Sequence, residues 1–339
     1  MKIFTFSLLV IFNLSFSLSA QEKENFPQLE GPYLGQKTPE ITPEIFAPGI
    51  ISNGQSNRDV AISPDGKEMY FGLHNSNFSY ATIITTQQIN GVWTKPEVVS
   101  FATDPRYYYL EPALSYDGNK MFFLSNLPKD SIDKPGDQDI WVVDRTKNGW
   151  GKPYNLGEPI NTTGSEFFPS LTQDGTIYFC RAEAGERIHY IYKSKLVNGK
   201  YSTPEKLPEQ VNCGINRFNA YVAPDESYIV VPAAGMKDSF GGVDYYIVFQ
   251  KDDGSWEEPI NMGPKINSST GAEHSLYVSP DHKYIFFMAT KGLTEDHQPK
   301  KLSVDFFNTL LISPQNGNSD IYWIDAKIID ELKAKIDKE

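Results

Sequence analysis

Cysteine is nearly absent: Cys180 and Cys213 are the only two in 339 residues, which allows one disulfide at most. Histidine is scarce too, with five, and no pair stands at the H-x-H or H-E-x-x-H spacing that holds a metal from a single element. The sequence therefore specifies no metal ligand set, and it names no cofactor. Beyond residue 20 no apolar run approaches the about 20 residues a spanning helix needs. Basic runs are missing as well. With Asp+Glu 43 against Lys+Arg 31 the net charge is −12, which excludes a phosphate-backbone footprint and with it nucleic acid as a partner. Neither G-x-S-x-G nor a P-loop occurs.

What is present begins with Met1–Lys2 and the apolar stretch "IFTFSLLVIFNLSFSLSA". This is the form of a secretory signal peptide, residues 1–20, with the mature chain starting near Gln21. No cysteine follows to take a lipid, and Asn13 and the serines interrupt the run, so an export signal fits better than an anchor. The product is expected in the periplasm or outside the cell, and not membrane-spanning once the signal is cleaved.

Aromatic residues make up 13% of the chain, and Gly 25 with Pro 23 supply many turns; the balance is all-β. One phrase recurs five times: "AISPDGKEMYFGL" from Ala61, "ALSYDGNKMFFLS" from Ala113, "SLTQDGTIYFCRA" from Ser170, "YVAPDESYIVVPA" from Tyr221 and "YVSPDHKYIFFMA" from Tyr277. Their turn aspartates, Asp65, Asp117, Asp174, Asp225 and Asp281, are 52, 57, 51 and 56 residues apart. That period belongs to a propeller or a solenoid. Each unit carries four strand-like pieces. The first two join through an Asp-Gly hairpin turn, and the fourth contains a proline suited to an outer edge.

The last unit, ending "SDIYWIDAKI", lacks a fourth piece, whereas "PEIFAPGI" from Pro43 resembles one and precedes every first piece. The N-terminal strand is therefore predicted to complete the last blade. The chain divides into a lead segment 21–42, a single five-bladed propeller of four-stranded blades over 43–326, and a short charged C-terminal helix or tail over 327–339. The repeat resembles the TolB-like β-propeller family of exported proteins, marked by the S-P-D-G hairpin, over nearly all of the mature chain. The resemblance implies the fold; blades of this kind serve as binding platforms, scaffolds and, less often, enzymes.

In such a ring the first strands surround the axis, and the loops leading into them share an upper face with the second-to-third connections. Six residues before the turn aspartates stand Asp59, Glu111, Phe168, Asn219 and Ser275; eight before stand Asn57, Tyr109, Glu166, Arg217 and Glu273. Strict alternation puts both rows on one side, with Arg58 and His274 flanking and His74 approaching His274 across the closed ring. The candidate ligand residues are thus Arg58, Asp59, His74, Tyr109, Glu111, Glu166, Arg217, Asn219, Glu273 and His274. They form either a polar pocket for a sugar, a peptide end or a cation, or a set of strand caps around a hydrated channel.

Asp139, Asp244 and Asp320, at the starts of third strands, read as turn residues. Cys180 and Cys213 fall on one rim of adjacent blades, as a bridge or as two buried thiols. The longest connection, residues 290–319, contains "VDFFNTLLI" and is a lid, a docking surface or a segment buried against its neighbour.

The function that fits best is a non-enzymatic binding module or scaffold whose upper face takes a glycan, a peptide or an envelope protein. The alternative is a carbohydrate-active enzyme. A lyase would take His274 or Tyr109 as base and Arg217 or Arg58 as charge neutraliser; a hydrolase would pair two of Glu111, Glu166 and Glu273.

Overall fold

The computed structural model describes residues 26–129, 136–183, 187–269, 273–293 and 298–336. The expected signal peptide lies outside them. Five small antiparallel sheets stand in a ring, each a blade of four strands; from the axis outward these follow sequence order in blades one to four, whereas the outermost strand of blade five comes from the N-terminal side of the chain. In blade one these are Ser56–Ile62, Glu68–His74, Ala81–Ile89 and Glu97–Val98. The inner strands of blades two, three and five are Tyr109–Leu114, Glu166–Leu171 and His274–Val278. That of blade four is broken into Asn216–Arg217 and Tyr221–Val222.

The hairpin turns repeat one hydrogen-bond scheme. In blade one Ser63 Oγ donates to Asp65 Oδ1 at 2.6 Å, and the amide of Lys67 donates to the same carboxylate oxygen at 3.1 Å. Ser115–Asp117, Thr172–Asp174 and Ser279–Asp281 repeat the hydroxyl contact. Blades four and five lack the turn glycine, and Glu226 and His282 adopt φ of 61° and 57° in its place. L-residues pay for that conformation with about 1–2 kcal/mol. Glu226 has a further partner, since its carboxylate accepts the Tyr178 hydroxyl of the neighbouring blade.

Asp139, Asp244 and Asp320 close connections locally. Asp139 accepts from Asn155 at 2.8 Å, Asp244 from the amides of Phe240 and Gly241, and Asp320 from the amide of Gln315.

Ring closure is made by Glu44–Ile45, which pairs antiparallel with Trp323 and Tyr322 in the last blade. Next to it the amide of Phe46 donates to Ile321 O at 2.8 Å. The Phe46 ring is fully buried and packs against Phe286 at 5.1 Å and Trp323 at 5.2 Å between ring centroids. The lead segment locks the same seam from outside: Trp93 Nε1 donates to Gly31 O at 2.7 Å and Tyr33 hydroxyl to Asp281 at 3.0 Å.

Helix α1, Val304–Leu311, lies in the long blade-five connection and has no buried residue. Burial against a neighbouring blade is therefore not what holds its apolar side chains. Helix α2, Lys327–Ile336, sinks Ile328, Ile329 and Leu332 into the core between blades four and five. Among the described residues no helix is long and apolar enough to cross a membrane.

The apolar core is five separate clusters, one per seam between blades. Cys180 and Cys213 belong to the cluster between blades three and four, and both are free, buried thiols. Burial pushes Cys213 up to about 11 and raises Cys180 further in the same direction. Thiol alkylation is expected to reach neither residue in the native protein and both after denaturation, as read by mass spectrometry of non-reduced peptides. Phe46→Ala is expected to cost about 3–5 kcal/mol, measured as a lowered urea midpoint; an unchanged midpoint would show that closure does not depend on this ring.

Candidate functional site

The residues six before each turn aspartate share an unusual backbone. Asp59, Glu111, Phe168, Asn219 and Ser275 have φ of 53°, 58°, 50°, 27° and 62°, although none is glycine. Pairing with the second strand slips at that point in blades one, two, three and five, and in blade four the inner strand is interrupted there. Each inner strand thus carries a bulge that breaks the period of two. Left-handed residues cost free energy and persist where their surroundings hold them.

What holds them is a closed polar plug across the axis. Asp59 Oδ2 accepts the amide of Glu111 at 3.2 Å, and Glu111 Oε2 accepts the amide of Phe168 at 2.7 Å. Each carboxylate therefore satisfies the bulged residue of the next blade. Asn219 Nδ2 donates to Glu111 Oε1 at 3.2 Å and to Ser275 Oγ at 2.9 Å, and Ser275 Oγ donates to Asp59 Oδ1.

Arg58 spans the centre, with Nε 2.8 Å from Asp59 Oδ1 and Nη2 3.0 Å from Glu111 Oε1. Gly72 makes room for this set: a Cβ there would come within 2.8 Å of Asp59 Oδ2. Burial, with the repulsion of Asp59, outweighs the pull of the Arg58 guanidinium and lifts the Glu111 carboxyl to about 7.

The bulge decides which side chains reach the upper mouth. Residues seven before the aspartates, Arg58, Leu110, Phe167, Phe218 and His274, all line it. Above the plug lies a cavity of 370 Å³ whose walls also include Phe78, Tyr108, Gln138 and His189. Its rings meet edge to face: Phe167 and His189 at 4.9 Å, His189 and Phe218 at 5.4 Å, Phe218 and His274 at 5.0 Å between centroids. Burial and nearby Arg58 depress His274 to about 3, and burial also lowers His189, so this collar is uncharged at neutral pH. Among the described residues, buried His189 Nδ1 finds no hydrogen-bond partner.

Strict alternation places the residues eight before the aspartates on the axial side; the bulge turns them away. Tyr109 packs with Phe123 in the core between blades one and two. Glu166 accepts from Thr162 Oγ at 2.6 Å and Arg181 Nε at 2.9 Å. Arg217 donates to the carbonyls of Cys213 and Gly214. Glu273 accepts from Ser268 Oγ at 2.6 Å. His74 stacks on Phe78 at 3.9 Å and opens into an adjoining cavity, while His274 faces the mouth.

The structure thus brings together Arg58, Asp59, Glu111 and Asn219, with His274 above them. Ser275, of the same row six before the aspartates, joins them, and the bulge adds the aromatic collar, which strict alternation does not reveal. Below the plug a second axial cavity of 180 Å³ opens among the hairpin turns, with Tyr116, Tyr221 and Tyr277 in its walls. Among the described residues no group of three or more His, Cys, Asp or Glu could hold a metal ion.

No family model matches the sequence, and no curated protein matches it. Solved structures similar to it include TolB from Acinetobacter baumannii, at 13% identity and a TM-score of 0.45, covering 80% of this chain and 57% of that one. A puromycin-hydrolyzing peptidase from Mycobacterium tuberculosis stands at 12% and 0.41, covering 80% and 41%. Kuenenia stuttgartiensis hydrazine synthase stands at 14% and 0.42, covering 71% and 76%. The chain spans about half the length of the first two. Likeness this distant says nothing of activity, and the propeller fold rests on the five sheets themselves.

The plug yields a pH signature. Folding takes up a proton at Glu111 between its ordinary value of 4.5 and about 7, so this group makes stability fall as pH rises through that interval, by at most about 1.4 kcal/mol per pH unit. Urea titrations at pH 4.5, 5.5, 6.5 and 7.5 are expected to show a steeper decline for the wild type than for Glu111→Gln. Parallel curves would remove the assignment.

Proposed function

We propose that the chain is an exported, non-enzymatic β-propeller that captures an uncharged peptide end or sugar residue in its upper mouth. The observation that carries this reading is the division of labour at the axis. The carboxylates are engaged within the plug, while the surface offered above them is a collar of aromatic rings and neutral imidazoles. Such a collar stacks on flat, uncharged groups, and the small set of polar atoms at the mouth fixes orientation. A neutral His274 depressed to about 3 is a poor general base at physiological pH.

The second reading, a carbohydrate-active enzyme, is favoured by one feature: Glu111, at about 7, lines the mouth beside Arg58. Release into the periplasm or medium follows from the signal peptide expected at residues 1–20. An envelope protein remains an alternative occupant of the same face.

The mature chain is to be screened by thermal shift against neutral and uronic oligosaccharides and short peptides, with mass spectrometry of each mixture. Capture is expected to raise the melting temperature with ligand masses unchanged, and Phe218→Ala and His274→Ala are each expected to weaken it about tenfold or more. Shortened or unsaturated products that vanish in Glu111→Gln would establish the enzyme instead.

A further inference from the structure

The five seams of the ring are unequally filled. Between blades two and three the core cluster has seven buried residues among those described, against eleven to nineteen at the other four. The same seam carries a cavity of 850 Å³. Its floor is apolar, with Phe122, Val142, Leu156, Ile160 and Leu171; its outer wall is the hairpin of Leu196–Val197 and Lys200–Tyr201. Inward it shares Ser115, Tyr116 and Leu171 with the lower axial cavity. The two form one trench from the rim to the axis.

We propose that this trench is a second binding site, for an extended peptide segment of net positive charge with apolar side chains as anchors. Its linear shape suits a chain rather than a compact ligand. A floor of branched aliphatic and phenyl groups complements apolar side chains and leaves sugar hydroxyls unpaired. The tyrosines beside it are open to solvent: Tyr116 is 54% exposed and Tyr154 41%.

The rim supplies the sign. Asp117, Glu158 and Asp174 stand against Lys120 and Lys200, and Lys120 is engaged by Asp144. Hydrogen bonds to the turn hydroxyls hold Asp117 and Asp174 below the usual carboxylate range, so both stay ionised, within a chain of net charge −12. A basic segment is drawn to such a rim and an acidic one is repelled. The site is distinct from the upper mouth, with the plug between them.

The test uses the mature protein and two fluorescein-labelled seven-residue peptides, one alternating leucine with lysine and one alternating leucine with glutamate, read by anisotropy in 0.15 M salt. The lysine peptide is expected to bind saturably and the glutamate peptide at least about tenfold more weakly. The double variant Tyr116→Ser/Tyr154→Ser, exposed positions whose melting temperature serves as the fold control, is expected to lose about tenfold. Glu158→Lys is expected to narrow the preference, and Phe218→Ala, whose effect is expected at the upper mouth, to leave the affinity for the lysine peptide unaltered. Equal binding of the two peptides, binding indifferent to the double variant, loss in Phe218→Ala, or displacement by a neutral oligosaccharide would each overturn the proposal.

Discussion

The rest of the ring depends on the handshake of carboxylate and backbone at its axis. Five strands converging on one point crowd their side chains and leave bulged amides without ladder partners. Asp59 and Glu111 answer by reaching across to the next blade's amide, with Asn219 and Ser275 completing the circuit and Arg58 compensating the buried charge. Buried polar groups of this kind are tolerable only when every member is satisfied. The geometry that satisfies them also sets the left-handed bulges, and the bulges in turn decide which residues face the mouth.

From that constraint the two faces follow. Above the plug Phe167, Phe218 and His274 of the seventh-position row, with His189 of a third strand, present rings and imidazoles beside Arg58 and Leu110; below it the hairpin turns present tyrosine and proline. The plug stands between the two vestibules. Away from the axis the blades cohere through separate apolar seams, and the asparagines Asn161, Asn212 and Asn267 tie the rim. Each exchanges two hydrogen bonds with one residue of a third strand, Ile140, Ile191 and Tyr245 respectively.

The five blades and the closing strand were legible in the sequence because they are written by local rules repeated five times: an Asp-centred turn, alternating strands, a proline at the outer edge. The sixth-position row was legible too, as a register counted from the turn. The eighth-position row, with Tyr109, Glu166, Arg217 and Glu273, was read onto the axis because a period of two was carried through a bulge whose cause is tertiary. Nothing beside Glu111 announces that its carboxylate will bond the amide of Phe168, 57 residues away. Phe167 and Phe218 reach the mouth for the same tertiary reason. The asparagine clamps did leave a trace, Gly-x-x-Ile-Asn at 157–161 and at 263–267, a spacing with no chemistry attached until the third strand is beside it.

The pairing of Glu44–Ile45 with Trp323 and Tyr322 also orders events in time. A strand that emerges among the first must wait for partners near the other end of the chain, and contacts of such long separation are the slowest to form. Until Trp323 is available the last blade cannot exist and the seam around Phe46 stays open. A ring of this design cannot close until the segments around Phe46 and Trp323 are both free to meet.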